Sequence, residues 1–273
     1  MSALPLSATD LALSAILVLV NAIASLALGL QIHRPLLLAA VRMVAQLLLV
    51  GLVLRWILVH QSPWLTGVAV VLMIAAAARE VASRARTPLA GHAGLRISAI
   101  VVGTASLLTV ALALSTALRP DPWYDPRYAI PLMGIVLGSV LNSASIALDA
   151  FLTGARQSAP IIEARLALGD TRQQALRALR MAAMRSGLLP VINQMSAAGI
   201  ITLPGIMTGQ VLAGMDALAA AKYQILLMFI LAGASGLAAF GAATLAMWRL
   251  TDGRQRLRLD RLRQPGSIGT GLA

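Results

Sequence analysis

The sequence predicts an all-α polytopic membrane protein of about seven transmembrane helices, with its N-terminus outside and its C-terminus in the cytoplasm. Three observations carry this. Of the 273 residues, 59% are hydrophobic and 12% charged, whereas a water-soluble globule usually carries roughly 25% charged residues. The apolar residues fall in blocks near the ~20 residues needed to cross hydrocarbon. The basic residues, all Arg except Lys222, are segregated between those blocks. The formal net charge of +12 therefore reads as a topology signal rather than a nucleic-acid surface.

Taken in order, the spans are approximately 10–32, 35–59, 64–82, 95–118, 128–150, 188–214 and 222–249. Residues 1–10 lack a basic side chain, and the apolar run that follows exceeds the ~7–15 residues of a signal-peptide core, so the first span is retained. The third is short, and the fifth carries a polar stripe. One set of loops holds Arg34, the arginines from Arg79 to Arg96, those from Arg156 to Arg185 and those from Arg249 to Arg263, 17 basic residues in all. The other set holds four, Arg55, Arg119, Arg127 and Lys222. The positive-inside rule places the first set in the cytoplasm. Residues 251–273, with Gly253, Pro265, Gly266, Gly269 and Gly271 among arginines, read as a flexible basic tail.

The large loop, 151–187, has internal order. Ser158 is placed to cap a short helix with Pro160 in its first turn. Ala159, Ile162 and Leu166 mark its apolar face, and Gly169 ends it. Thr171 with Gln174 fits a capping box, opening a second helix with Leu176, Leu179 and Ala183 on one side. Such a hairpin can rest on the inner leaflet or dock a cytoplasmic partner. Glu163-Ala164-Arg165 with Gly169 resembles the Glu-Ala-Ala…Gly coupling loop of ABC importer permeases, and so implies partner-coupling roles for Glu163, Leu166 and Gly169.

Within the spans, Arg42 and Gln46 share one helical face. An ionised group at the bilayer centre costs at least ~2.5 kcal/mol, so Arg42 either snorkels or faces protein as an anchor or pathway residue, with Asp149 the expected counter-ion. Span five carries Gly134, Gly138, Ser139, Asn142, Ser143 and Ser145, small and polar groups that serve helix packing or a path. Span six contains Leu203-Pro204-Gly205-Ile206-Met207-Thr208-Gly209. Pro204 removes a donor and Gly205 loosens the chain, so a break is expected there, and broken helices mark transport paths. Met195, Met207 and Met215 lie near it. Thioethers suit soft cations and also fill apolar space, so the metal ligands stay unknown.

Several chemistries are excluded. With no Cys the chain has no disulfide, thiolate site or thiol nucleophile. The single lysine, in Ala221-Lys222-Tyr223, cannot complete a phosphate-binding loop. His33, His60 and His92 lie singly at span ends, which argues against a histidine zinc cage. Gly233-Ala234-Ser235-Gly236 lacks a histidine base at membrane depth for a serine protease.

The second half resembles a known family. Pro131-x-x-Gly134-x-x-x-Gly138, Glu163-x-x-Leu166-x-Leu168-Gly169, Pro190, Leu203-Pro204-Gly205-x-Met207-x-Gly209, Gly214-x-Asp216 and Tyr223-Gln224, with Arg42-x-x-x-Gln46-Leu47 in the first half, resemble the FetB-type permeases. These are membrane subunits of an iron-exporting ABC transporter, related to plant aluminium-sensitivity permeases. Ser139, Asp170 and Ala217 depart from the pattern. The resemblance implies a transmembrane permease domain over 1–250, including a coupling hairpin at 151–187, in the inner (plasma) membrane. It also implies a permease homodimer with a separate ATP-binding subunit that carries the ATP, so that this chain needs no cofactor and is not an enzyme. Arg42, Gln46, Asn142, Pro204, Gly205 and Met207 are the expected path or helix-break residues. An ABC permease for a non-metal small molecule is the alternative, followed by a partner-free channel or secondary carrier.

Overall fold

In the computed structural model, which describes residues 7–60 and 62–263, every named element is helical. Helix α1 (Ala8–Ala27) opens on a capping box between Ser7 and Asp10 and ends before Gly29, whose φ of 65° reverses the chain. It pairs with α2 (His33–His60), and α2 touches the rest of the bundle only lightly, along α5. Helices α3 (Pro63–Arg84) and α4 (Ala93–Ala113) follow. The last turn of α4 widens into a π-turn, Leu114–Leu118, closed by Arg119 at φ 42°. Helix α5 (Pro126–Gln157) is the central column, with α3, α4 and two later helices, α8 (Arg177–Ala197) and α10 (Ala217–Leu250), around it.

Among the described residues, six helices are long and apolar enough to cross a membrane: α1 to α5, and α10 (Ala217–Leu250). The stretch expected as span six instead spans two helices, α8 (Arg177–Ala197) and α9 (Gly205–Leu212). The break anticipated at Pro204–Gly205 begins earlier. Ala198 turns extended, Gly199 takes φ 85°, and residues 198–204 are held by Gly199 N–H donating to the Thr202 carbonyl at 2.9 Å. Pro190, inside α8, leaves that helix continuous.

The large loop is more helical than its composition implied. Helix α5 runs to Gln157 because Phe151, Leu152 and Ala155 extend its buried face. Helix α6 (Ala159–Ala167) follows almost without a gap; Ser158 stands at its N-cap, but its hydroxyl makes no capping bond. Gly169, at φ 97°, ends α6, with its N–H on the Leu166 carbonyl. The Thr171–Gln174 capping box forms and starts the single turn α7 (Arg172–Ala175). Helix α8 then carries the hairpin straight into the bundle, with Leu176 and Ala183 buried.

The core is built from small residues. On α10, Ala234, Ala238, Ala239, Ala242, Ala243 and Ala246 are buried against α4, α5 and α8. Gly187 lets α8 close on that seam: a Cβ there would lie 2.8 Å from the Ser143 carbonyl oxygen, 2.9 Å from Ala147 Cβ and 3.0 Å from Ala239 Cβ. Small residues permit such close approach where hydrocarbon supplies no hydrophobic drive between helices.

The first part of the expected flexible tail is docked; its remainder, 264–273, lies outside the described residues. Thr251 pairs with Leu257, Leu262 pairs with Leu89, and Arg263 N–H donates to the Pro88 carbonyl at 2.8 Å. Gln255 Oε1 accepts the Arg172 N–H at 2.7 Å, linking this segment to α7. Buried Leu262 provides the apolar anchor, with Leu257 and Leu259 packed partly buried beside the core, three leucines that the surrounding arginines mask in composition. The Asp252 carboxylate accepts the Arg256 and Arg254 backbone N–H groups. The Arg256 bond is the leading cause that holds its pKa below the ordinary carboxylate value.

Gly187→Ala should destabilise the chain by about 1–3 kcal/mol, an overpacking cost, read as a lower Tm in detergent. Gly233→Ala, where a Cβ meets nothing within 4 Å, should not. Because the Asp252 pKa is depressed on folding, its contribution is present above the unfolded-state value and lost as pH falls through the folded one. Amide exchange at Arg254 and Arg256 should therefore rise only below the ordinary carboxylate range, and Asp252→Asn should show that faster exchange already at neutral pH.

Candidate functional site

Two cavities meet on the polar face of α5. The first, about 510 Å³, is lined by Arg42 and Gln46 of α2, Glu80 and Arg84 of α3, and Gly134 and Leu141 of α5. Glu80 lies at its centre: its carboxylate is 3.2 Å from Arg84 Nε, one turn along the same helix, and 4.0 Å from Arg42 Nη2. Arg84 Nη1 donates to Asn142 Oδ1 at 3.3 Å. The expected Arg42–Asp149 pairing is thus corrected. Asp149 accepts the Arg86 backbone N–H at 2.7 Å and lies 3.9 Å from Arg86 Nε. The reason is rotational: α3 presents Glu80 toward α2, while Asp149 faces the loop after α3.

The second cavity, about 280 Å³, lies between α5 and α8, with Gly138, Ser139 and Asn142 on one wall and Pro190 and Gln194 on the other. Asn142 lines this cavity and bonds a residue of the first. The other polar groups of the stripe are divided. Ser139 Oγ bonds Ser235 Oγ at 2.8 Å, joining α5 to α10, and Ser143 is buried under Gly187. Gly138 leaves open wall, since a Cβ there would meet nothing within 4 Å, whereas a Cβ at Gly134 would lie 3.4 Å from Met73 Cε of α3.

The structure brings Arg42, Gln46 and Asn142 into one neighbourhood. Pro204, Gly205 and Met207 stand apart from both cavities, at the start of α9, which packs on α10. There Pro204 is the N-cap residue and Met207 is half-buried. Gly214 and Asp216 form a turn and cap: Gly214 has φ 94°, and Asp216 Oδ2 accepts the Ala219 N–H at 2.9 Å, starting α10. Gln224 is buried with its Oε1 unpaired. Among the described residues no cluster of three His, Asp or Glu side chains is placed to hold a metal ion.

At the arginine-rich end, Glu163 is exposed on α6, and Leu166 is partly buried against the core. Leu168, beside Gly169, is 88% exposed. Arg165 Nε donates to Asp170 Oδ2 at 2.7 Å, bracing the turn from within. Glu80, Arg84 and Gln194 complete the cavities and escaped the sequence reading. Their one signal was the i,i+4 spacing of Glu80 and Arg84, which reads as an ordinary span end until α2 is seen beside it.

A model of the Uncharacterised protein family (UPF0014) matches residues 8–250. The UPF0014 membrane protein slr1647 of Synechocystis is 37% identical over 74% of this chain and 78% of its own length. The protein named "Probable iron export permease protein FetB" of Escherichia coli is 28% identical over 93% of this chain and 96% of its own. Protein ALUMINUM SENSITIVE 3 of Arabidopsis thaliana is 28% identical over 81% of this chain and 78% of its own. No solved structure shows a significant match.

Glu80→Gln removes the carboxylate that faces two guanidinium groups. Because these side chains are partly exposed, the loss of global stability should stay within about 1 kcal/mol. Since α2 has few other attachments, its amide exchange should rise several-fold while that of α4 and α10 is unchanged.

Proposed function

The chain belongs to the UPF0014 family, and on that premise we propose that it is the membrane-spanning permease subunit of an ABC-type exporter of iron or another metal, driven by a separate ATP-binding subunit. One observation carries the proposal: the hairpin formed by α6, Gly169 and α7 is joined by helix at both ends to the two helices that wall the smaller cavity. On one side α5 continues nearly into α6; on the other α7 leads into α8. A push on Leu168 and Gly169 is therefore delivered to α5 and α8 together. The name of the Escherichia coli relative supports iron as the cargo class.

In this mechanism two permease copies and two ATP-binding subunits form the working unit, and the ATP resides on the partner. Closure of the partner subunits displaces the hairpin and tilts α5 against α8. The non-helical segment 198–204 lets α8 move while α9 stays on α10, so the α5–α8 cavity opens to alternate sides. Asn142, Gln194 and Gln46 offer oxygen donors along that route, and the Arg42–Glu80–Arg84 group holds α2 beside it. Glu163, Leu166 and Gly169 make the coupling contact. The arginine distribution orients the hairpin to the cytoplasm, with the N-terminus outside, in the inner membrane.

The test is coexpression with the ATP-binding subunit. Leu168→Glu changes an exposed side chain and should leave the fold intact, yet weaken capture of that subunit at least about tenfold, as removing an interface anchor does. Gly169→Trp, which forces a bulky L side chain into φ 97°, should uncouple ATP hydrolysis from transport. Wild-type capture and coupling in both variants would refute the docking role.

A further inference from the structure

A third cavity, of about 660 Å³, lies at the end of the bundle opposite the hairpin, between α3, α4 and the start of α5. Its floor is made by buried Val110, Leu114, Ala129 and Met133. Its mouth is edged by Leu108, Leu112 and Trp123, all well exposed. The π-turn Leu114–Leu118 forms part of the wall, and such widened turns often mark functional sites.

The chemistry of the lining selects the ligand. No charged side chain lines it. Two of its three hydroxyls are engaged by their own helices: Thr66 Oγ1 donates to the Ser62 carbonyl at 3.2 Å, and Ser115 Oγ donates to the Leu112 carbonyl at 3.1 Å. The third belongs to Tyr124, in the segment before α5. A hydrated ion or strongly polar solute would find too few polar groups in this lining to replace its water. The volume falls within the ~300–1,000 Å³ of small-molecule sites. The mouth opens between membrane-spanning helices near Trp64, Trp123 and Tyr124, the residue types that settle at the lipid headgroup boundary. From there the cavity runs inward along α3 and α4 to Val70 and Leu107, about two turns into helices whose apolar surface suits hydrocarbon.

We propose that this cavity holds an acyl chain of a membrane phospholipid from the leaflet at the arginine-poor end. The lipid fills the space between α3 and α4 beside the π-turn, and it braces the two helices against each other.

The experiment uses the full chain in liposomes of phosphatidylcholine carrying a photoactivatable diazirine on one acyl chain, with adducts mapped by mass spectrometry. Adducts should concentrate on peptides containing Val70 and Ala111. At Gly67 a Cβ meets nothing within 4 Å, so Gly67→Phe can fill the space. It should lower cavity adducts about tenfold, the change expected from losing burial of roughly two methylenes. Gly51→Phe on α2, equally free of neighbours, should leave them unchanged. Adducts spread evenly over the lipid-facing helices, or indifferent to Gly67→Phe, would overturn the proposal. The chain has no Cys, so Ala111→Cys supplies a unique thiol and a second readout that does not depend on the Gly67 variant. It should react with a lipid-soluble maleimide and resist a charged, membrane-impermeant one. Rapid reaction with the charged reagent would mean a water-filled vestibule and would also overturn the proposal.

Discussion

The structure depends on close approach of backbones along α5. Lipid tails are as apolar as leucine, so two helices in a bilayer gain little by hiding leucines from solvent and must gain instead from dispersion contact at short range. The alanines of α10 and Gly187 of α8 allow that contact, and the bulky residues of the core, Phe151, Met133 and Leu148, lie along α5 itself. This packing sets the helical hairpin at one end directly on the seam between α5 and α8.

The polar groups follow the same logic in reverse. Few polar groups stay in the seam: Ser139 pairs with Ser235, whereas Gln224 Oε1 and the Ser98, Ser106 and Thr244 hydroxyls are buried without a partner. The charged groups are moved to the rim, where Glu80 mediates between Arg42 and Arg84. That arrangement leaves the α1–α2 pair attached to the bundle by a small polar contact rather than by a packed face. The α1–α2 pair is therefore held less tightly than α3, α4, α5, α8 and α10 are held to one another.

Much of this was legible from residues alone. Blocks of apolar residues located α1 to α5 and α10, because length and hydrophobicity are the conditions for crossing a bilayer. The end of α1, the end of α5 and the start of α10 were misplaced by a turn or more, α5 running on to Gln157 and α10 starting at Ala217. The Thr171–Gln174 box and the Gly169 turn were legible because local backbone chemistry decides them. The break near Pro204 was anticipated, but its start at Gly199 was not, since a positive φ at one glycine among many leaves no mark in the sequence. Arg42's partner was misread because spacing fixes which residues share a face of one helix, not how that helix is rotated against its neighbours. Gly187 passed unnoticed for the same reason: its role exists only once Ser143 and Ala239 stand opposite. The docking of residues 251–263 rests on backbone hydrogen bonds to residues 88–90, which composition does not reveal.

Membership of the UPF0014 family and the helical junctions at both ends of the hairpin lead to one account, in which work done on the hairpin by a separate ATP-binding subunit opens and closes the cavity between α5 and α8. The most direct measurement is metal flux in proteoliposomes containing the purified chain with and without that subunit. The account predicts iron movement only when both the subunit and hydrolysable ATP are present. Iron movement through the chain alone, with neither, would contradict it.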